Sequence, residues 1–156
     1  MIIRATITDL DFIKIIMDHP KINPYLYDDL AKNTRFDLSI LLKIETIYFL
    51  IGINEINEKI GIFVGHPWNS ICYEAHTLIL PEFRGEETVK IAKEAIRWMF
   101  DNTLCKKIVT HVPTFNQKAY ALAIKVGGKL EGINKKSFLK FNKLYDQYLF
   151  GFIKED

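Results

Sequence analysis

The chain has 156 residues, of which 49% are hydrophobic and 26% are charged, and its formal net charge is +2 at pH 7. A chain of this size and composition can bury one hydrophobic core, so we predict a single domain spanning residues 1–156. Basic and acidic residues are interspersed, so we expect no nucleic-acid partner. The longest apolar run, residues 47–53, is far shorter than the roughly 18 residues of a membrane helix, so we expect no membrane partner.

The cysteines and the missing motifs exclude several function classes. Cys72 and Cys105 do not form a CxxC motif, and the N-terminal residues do not have the apolar core of a signal peptide. We therefore expect a reducing, cytoplasmic setting. The patterns GxxxxGK, HExxH and GxSxG do not occur, which argues against nucleotide hydrolysis, zinc proteolysis and serine hydrolase chemistry. No metal site is predicted.

Hydrophobic periodicity and turn residues predict eleven elements in the order β-α-α-β-β-β-α-β-α-β-β. In chain order these are a strand (2–6), a helix capped by Thr8, a short helix (37–43), three antiparallel strands (46–53, 59–64 and 71–80), a long helix beginning near Glu86, a strand (107–112), a helix capped by Asn116, and a hairpin (129–139 and 144–153). The helix between strands 71–80 and 107–112 makes this pair parallel. Residues 21–33 have no clear periodicity, and we expect them to be mobile and to face the substrate.

This order resembles the GNAT superfamily of N-acetyltransferases over essentially the full chain. The resemblance also rests on the turn Pro81-Glu82-Phe83-Arg84-Gly85, on Asn116-x-x-Ala119 and on Gly127-Gly128. It implies an α/β (α+β) fold: a mixed, mostly antiparallel sheet of six to seven strands, a splayed central parallel pair and about four helices. It also implies that acetyl-CoA, as cosubstrate, lies between the parallel strands.

The resemblance assigns most of the cosubstrate site to two segments. The implied cofactor-binding residues are Leu78, Ile79 and Leu80, whose N–H groups would polarise the thioester carbonyl; Arg84, Gly85, Glu86, Glu87 and Thr88, which would hold the pyrophosphate; and Asn116, which would position the pantetheine. A helix N-terminus favours phosphate because its N–H groups are unpaired. Such a turn is also present in every βαβ unit, so a purely structural turn is the alternative.

The sequence departs from the family pattern at two places. Glu87 and Val89 stand where the pyrophosphate motif has small residues, and Glu87 would repel phosphate unless Arg84, Lys90 or the Thr88 hydroxyl offsets its charge.

The second departure concerns the general acid. Many family members have a tyrosine seven residues after the motif asparagine, where this chain has Ala123. Tyr120, one helical turn earlier, is the candidate acid, and ordinary packing is its alternative role.

Glu74 is the candidate catalytic base. Strand alternation places it on one face with His76, and polar groups within a buried strand need either partners or a function. A carboxylate or a water chain beside the acceptor amine could remove its proton. The alternatives are a structural ion pair for Glu74 and a merely hydrogen-bonded histidine for His76. His111 could face the acyl group or cap the next helix.

We interpret the chain as an acetyl-CoA-dependent N-acetyltransferase that acetylates a primary amine by direct attack. The alternative is a noncatalytic GNAT-like binding or structural module, which Glu87, Val89 and Ala123 favour. The acceptor, a small molecule or a peptide amine, is not specified, and the oligomeric state is open, with a homodimer as one alternative. Four aromatic residues could shape an acceptor pocket or simply pack: Tyr25, Tyr27, Phe36 and Trp68.

Overall fold

Residues 1–31 and 37–155, as described by a computed structural model, contain seven strands and five α-helices. The strands are β1 (Ile2–Arg4), β2 (Tyr48–Ile53), β3 (Lys59–Pro67), β4 (Cys72–Ile79), β5 (Lys107–Pro113), β6 (Lys129–Lys140) and β7 (Lys143–Ile153). The helices are α1 (Leu10–Met17), α2 (Asn23–Leu26), α3 (Leu38–Leu41), α4 (Glu86–Asn102) and α5 (Gln117–Lys125). The element order therefore agrees with the prediction, with the short helix α2 added.

The seven strands form one sheet in the order β1-β2-β3-β4-β5-β7-β6. Neighbours are antiparallel except β4 and β5, which are parallel and joined through α4. The parallel pairing covers only three residue pairs and ends at Glu74 opposite Val109, so the two strands separate beyond that point. The mostly antiparallel α+β sheet with a central splayed pair is confirmed.

Helices cover both faces of the sheet and seal two hydrophobic clusters. On one face α4 and α5 contribute Ala95, Met99 and Ala123 to a cluster with Phe63 and Phe150. On the other face, α1 packs against the sheet in a second cluster, whose buried members are Ala5, Ile13, Ile16, Ile22, Phe49, Ile51, Ile53, Ile62 and Leu78. Burial of this apolar area is the main term stabilising the fold.

Local side-chain contacts fix the ends of several helices. The Oδ1 atom of Asn116 accepts a hydrogen bond from the Ala119 N–H at 3.2 Å, so the predicted cap of α5 is confirmed. The predicted cap at Thr8 is wrong, because a 3₁₀ turn over Ile7–Asp9 precedes α1 and Thr6 is its N-terminal cap residue. The Asp9 carboxylate accepts from the Thr6 N–H at 2.8 Å, and it pairs with Lys59 at 2.7 Å.

The segment after α2 is attached to the tip of the β6–β7 hairpin. The Asp29 N–H donates to the Leu139 carbonyl at 2.9 Å, and the Lys140 ammonium donates to the Tyr27 carbonyl at 3.0 Å. The Asn142 N–H donates to the Asp29 carboxylate at 3.0 Å. These bonds hold part of the irregular stretch 21–33 in one place, and residues 32 and 33 of that stretch lie outside the described residues.

Candidate functional site

A cleft of about 910 Å³ lies where β4 and β5 separate. Its walls are residues 76–79 of β4 and 110–113 of β5, the turn at Arg84 and Gly85 with the first residues of α4, the segment 20–26 that includes α2, and residues 115–125 at and within α5. The separation leaves the facing edges of the two strands without their usual partners. A ligand with an extended, amide-containing chain could pair with these edges.

The backbone of β4 offers fewer free N–H groups than the sequence predicts. The Leu80 N–H donates to the Ile60 carbonyl at 3.0 Å, and Leu80 does not line the cleft, so its predicted role in polarising a carbonyl is wrong. Because N–H directions alternate along a strand, the Leu78 N–H also faces β3. The N–H groups of Thr77 and Ile79 point toward the gap.

The turn that opens α4 is built by Gly85 and Thr88. Gly85 has φ 142° and ψ −145°, a conformation that essentially only glycine adopts. Thr88 lines the cleft, and its buried hydroxyl donates to the Phe83 carbonyl at 3.0 Å, which holds the turn. Arg84 and Val89 line the cleft, whereas the side chains of Glu86 and Glu87 do not.

The charged groups on the cleft wall are cationic. Four lysine and arginine residues line it: Lys21, Arg84, Lys118 and Lys125. Among the described residues that line the cleft there is no aspartate or glutamate. Lys90, which the sequence offered as a group that could offset the charge of Glu87, pairs instead with Glu55 at 2.8 Å. The wall is therefore suited to an anionic ligand.

Glu74 lies beside the inner end of the cleft and is held by two hydrogen bonds. Its Oε1 atom is 2.9 Å from His111 Nδ1, and its Oε2 atom accepts from the Trp68 indole N–H at 3.0 Å. The Trp68 and His111 rings also contact each other, with centroids 5.7 Å apart. Trp68 thus contacts both members of the Glu74–His111 pair, at the point where β4 and β5 separate.

The electrostatics keep this carboxylate ionised. Burial alone would raise the pKa of Glu74, but the hydrogen bonds from His111 and Trp68 and the charge of nearby His76 lower it to about 2. The pKa of His76 is lowered by burial, against the attraction of Glu74. His66, on β3, is 3.9 Å from Glu74 and stacks on His76 with ring centroids 5.6 Å apart.

The second predicted catalytic residue, Tyr120, faces away from the cleft. Its ring packs against Tyr148 and Phe150 at centroid distances of 4.9 and 5.3 Å. Ala123, at the family's tyrosine position, is 6% exposed and lies in the core cluster. Leu122 is the residue at this level of α5 that lines the cleft. The contacts of Tyr120 are those of a packing residue.

The four aromatic residues predicted for an acceptor pocket have different surroundings. Tyr25 lines the cleft and contacts Phe115 at a centroid distance of 6.1 Å. Trp68 contacts Glu74 and His111, as described above, and the Tyr27 carbonyl accepts from Lys140. Phe36 lies outside the described residues.

Sequence reasoning missed the connections among these residues more than the residues themselves. The sequence identifies four candidate residues here: Glu74, His76, His111 and Trp68. It does not indicate that Trp68 and His111 both form hydrogen bonds to Glu74. The available signal was strand register. The pairing of strands 59–64 and 71–80 extends to His66 opposite Glu74, and this brings the corner formed by His66-Pro67-Trp68 beside the carboxylate.

Neither residues 1–31 nor residues 37–155 contain a group of three or more histidine, cysteine, aspartate or glutamate side chains placed to hold a metal ion. Within the same ranges, every helix is too short or too polar to cross a membrane.

The splayed parallel pair, the crossover helix and the cleft between the strands define the GNAT fold. Spermidine N-acetyltransferase from Vibrio cholerae, solved with CoA and spermine, has a TM-score of 0.83 and 20% identity, over 98% of this chain and 94% of that one. Ribosomal-protein-S5-alanine acetyltransferase from Vibrio fischeri has a TM-score of 0.77 and 15% identity, over 99% and 93%. A GNAT-family acetyltransferase from Bacillus anthracis has a TM-score of 0.76 and 18% identity, over 99% and 95%.

At these identities the similarity establishes the shared fold. The chain belongs to the family described as "Protein of unknown function (DUF2824)", whose model matches residues 3–132. A search of curated proteins gave no sequence match.

Proposed function

We propose that this chain is an N-acetyltransferase that moves an acetyl group from acetyl-CoA directly to a primary amine in the cleft between β4 and β5. The observation that carries the proposal is the cleft itself. The two strands separate immediately after Glu74, and the resulting space has a cationic wall and a carboxylate–histidine pair at its inner end. Acetyl-CoA fits this arrangement because it is a long, amide-containing anion.

The direction of the cosubstrate follows from where the charges lie. Arg84 and Gly85 stand at the opening of α4, whose N-terminal N–H groups attract a phosphate. Glu74 and His111 lie at the other end, next to the last paired residues of β4 and β5. We therefore place the pyrophosphate at the turn and the acetyl group beside His111, with the pantetheine against the free N–H groups of Thr77 and Ile79.

The acceptor differs in charge from the ligand of the spermidine acetyltransferase named above. That enzyme was solved with spermine, a polycation. Here the described part of the cleft wall has four basic side chains and no carboxylate to bind a second ammonium group. We propose an acceptor whose amine is attached to a neutral or acidic group, such as an amino-acid amide or a peptide, and not a polyamine.

The rival function is a noncatalytic module that keeps the fold without the reaction. Two observations favour it: Val89 lines the cleft where the family has a small residue, and Glu87 adds a negative charge at the helix end. A module of this kind would not bind acetyl-CoA, or would bind it without releasing CoA in the presence of amines.

The deciding experiment is a thermal unfolding series with acetyl-CoA, CoA and AMP, followed by an assay of free thiol release. A ligand at 100 times its Kd stabilises the folded state by about 2.7 kcal/mol, which gives a clear shift of the melting temperature. Release would be assayed with glycinamide, a short neutral peptide, ethanolamine and spermidine as acceptors. We expect release with the first three, and little with spermidine.

A matched pair of charge variants controls for general electrostatics. Arg84→Gln removes a cation from the cleft wall, and Lys93→Gln removes one from an exposed position of α4 outside it. A charge-assisted hydrogen bond is worth about 1.5–3 kcal/mol, so Arg84→Gln should weaken acetyl-CoA binding roughly 10- to 100-fold. Equal affinities for the two variants would place the phosphates elsewhere.

A further inference from the structure

The sequence offers Glu74 as the base, but its place in the structure is behind the cleft wall. Glu74 is not among the residues that line the cleft, whereas His111 is. Both Glu74 oxygens are already engaged, one by His111 and the other by Trp68. An acceptor amine in the cleft would therefore meet the imidazole before it met the carboxylate.

We propose that His111 is the catalytic base of the acetyl transfer and that Glu74 is a positioning residue that acts through it. This inference rests on the proposed function and names the proton acceptor for it. The carboxylate, the imidazole and the cleft are arranged in that order, with the imidazole between the other two.

The hydrogen bond to Glu74 determines which nitrogen of His111 can take a proton. An ionised carboxylate only accepts hydrogen bonds, so His111 Nδ1 carries the hydrogen and donates it across 2.9 Å. The pKa of Glu74, lowered to about 2, keeps that carboxylate ionised at neutral pH. In the neutral imidazole the lone pair is then on Nε2, and among the described residues none is hydrogen-bonded to that atom.

The surroundings restrict the ring and also supply its charge environment. His111 lies in the part of β5 that pairs with β7. Its side chain is 15% exposed, and the Trp68 ring packs beside it. The titratable groups around it are Glu74 and His76 on β4 and His66 on β3, and the same cleft is lined by Lys21, Tyr25, Lys118 and the other basic residues named above. Glu74 is the anion in direct contact with the ring, at 2.9 Å from Nδ1.

The proposed step balances without a further reactant. His111 Nε2 takes one proton from the acceptor ammonium and passes it to solvent. The neutral amine nitrogen then attacks the thioester carbon, forming the C–N bond. As the adduct collapses, the C–S bond breaks, the nitrogen loses its second proton through His111, and the CoA thiolate leaves and is protonated to the thiol.

The first test compares two histidines that line the same cleft. General base assistance is typically worth about 10²–10⁴-fold. His111→Gln should lower kcat by that factor and leave the affinity for acetyl-CoA within about twofold. His76→Gln, which removes a histidine without a hydrogen bond to Glu74, should cost less than about tenfold. Thermal unfolding of both variants checks that they fold.

The pH profile separates a lost base from a damaged site. The α-amine of a peptide has a pKa of about 8 and an alkyl amine has one of about 10, so raising the pH supplies the neutral amine without an enzyme base. The deficit of His111→Gln relative to wild type should shrink steadily from pH 7 to about pH 9.5. A deficit that stays constant over this range would overturn the assignment, as would a His111→Gln enzyme with the wild-type rate at pH 7.

The second test asks whether Glu74 acts through His111. Glu74→Gln should lower kcat without changing acetyl-CoA affinity. The variant with both Glu74→Gln and His111→Gln should be no slower than His111→Gln alone, because Glu74 has no effect on the rate once His111, through which it acts, is absent. Independent, multiplicative losses would make Glu74 a base in its own right. Partial rescue by Glu74→Asp supports the carboxylate.

A measurement on the wild-type chain covers the case in which the variants do not fold. Diethyl pyrocarbonate acylates unprotonated imidazole nitrogens, so peptide mapping should show His111 modified in the free protein and protected by acetyl-CoA. Modification unaffected by acetyl-CoA that binds would overturn the role of His111. Wild-type protein that binds acetyl-CoA but releases no CoA with any tested amine would instead remove the proposed function, and this inference with it.

Discussion

The two ends of the cleft are built in different ways. At the α4 end the site consists mainly of backbone, namely the Gly85 conformation and the helix N-terminus, with Arg84 beside them. The Thr88 hydroxyl ties this turn to the Phe83 carbonyl. At the β4–β5 end it consists of side chains from three strands and a corner, with Glu74 held by His111 and Trp68. The first end depends on main-chain geometry, and the second depends on chemical identity at particular positions.

This difference teaches where substitutions are tolerated. A turn that binds phosphate through N–H groups can accept Glu86 and Glu87, because their side chains point away from the cleft while the backbone keeps its course. The Glu74 network has no such freedom, because Trp68 and His111 each donate a hydrogen bond to a partly buried carboxylate. We therefore expect large effects from substitutions in the Glu74 network and small ones from substitutions of the two acidic residues of the turn, Glu86 and Glu87.

The largest effect should be on the pH dependence of stability through Glu74. Its pKa falls from an ordinary value of 4.5 to about 2 in the folded state. A lowered folded pKa gives stability that is fully present above about pH 5 and is lost as the pH falls through about 2. The shift corresponds to on the order of 3 kcal/mol. Glu74→Gln should therefore be much less stable than wild type at pH 6, with the difference closing toward pH 2.5 in urea unfolding.

A second carboxyl provides the control. The pKa of Asp9 is also lowered, by the Lys59 and Thr6 hydrogen bonds acting against its burial, but it lies in the turn before α1. Asp9→Asn should retain the Glu74-dependent loss of stability below pH 5. If Glu74→Gln and wild type differ by the same amount at every pH, the carboxylate contributes no ionisation-linked stability.

An effect of intermediate size is expected from a tyrosine introduced into α5. Ala123 is 6% exposed in the core, so Ala123→Tyr should overpack it and cost about 1–3 kcal/mol of unfolding free energy. Leu122 lines the cleft, so Leu122→Tyr should fold with less loss and place a phenol near the cosubstrate. Faster CoA release in Leu122→Tyr alone would show that the missing acid belongs at this position.

Tyr120→Phe tests the role of the native phenol in the same assay. Because the Tyr120 ring packs on Tyr148 and Phe150 and does not line the cleft, the variant should keep the wild-type rate. A loss of about 10²-fold or more, the usual range for an acid catalyst, would restore Tyr120 to the mechanism.

The fold was predictable because its signals are local. Apolar periodicity, the cap at Asn116 and the helix between two strands were enough for the element order and the parallel pair. The Glu74 network was not predictable in the same way, because Trp68 and His111 are 6 and 37 residues from Glu74 and meet it only through strand register and the corner after β3. The Leu80 N–H likewise is unavailable to the cleft because it donates to the Ile60 carbonyl. That bond depends on strand register, which periodicity does not specify.

A small effect is expected at the phosphate end, from Glu87→Gln. A charge in the first turn of a helix is worth about 0.3–1 kcal/mol, so removing Glu87 should tighten CoA binding about two- to fivefold at low salt. The same change should slightly weaken the empty helix end. Calorimetric titration with CoA measures the gain, which should fall as salt screens the charge.

Two controls make the Glu87 result specific to phosphate. Pantetheine, which has no phosphate groups, should bind Glu87→Gln and wild type equally. Glu45→Gln removes one exposed carboxyl before β2, far along the chain from α4, so it changes the net charge alone and should leave CoA binding unchanged. Glu87→Gln could also bind CoA no more tightly than Glu45→Gln at low salt. The pyrophosphate would then not rest on this turn. Only the Glu74–His111 end of the cleft would remain assigned to the reaction, and there side chains, not backbone, decide the chemistry.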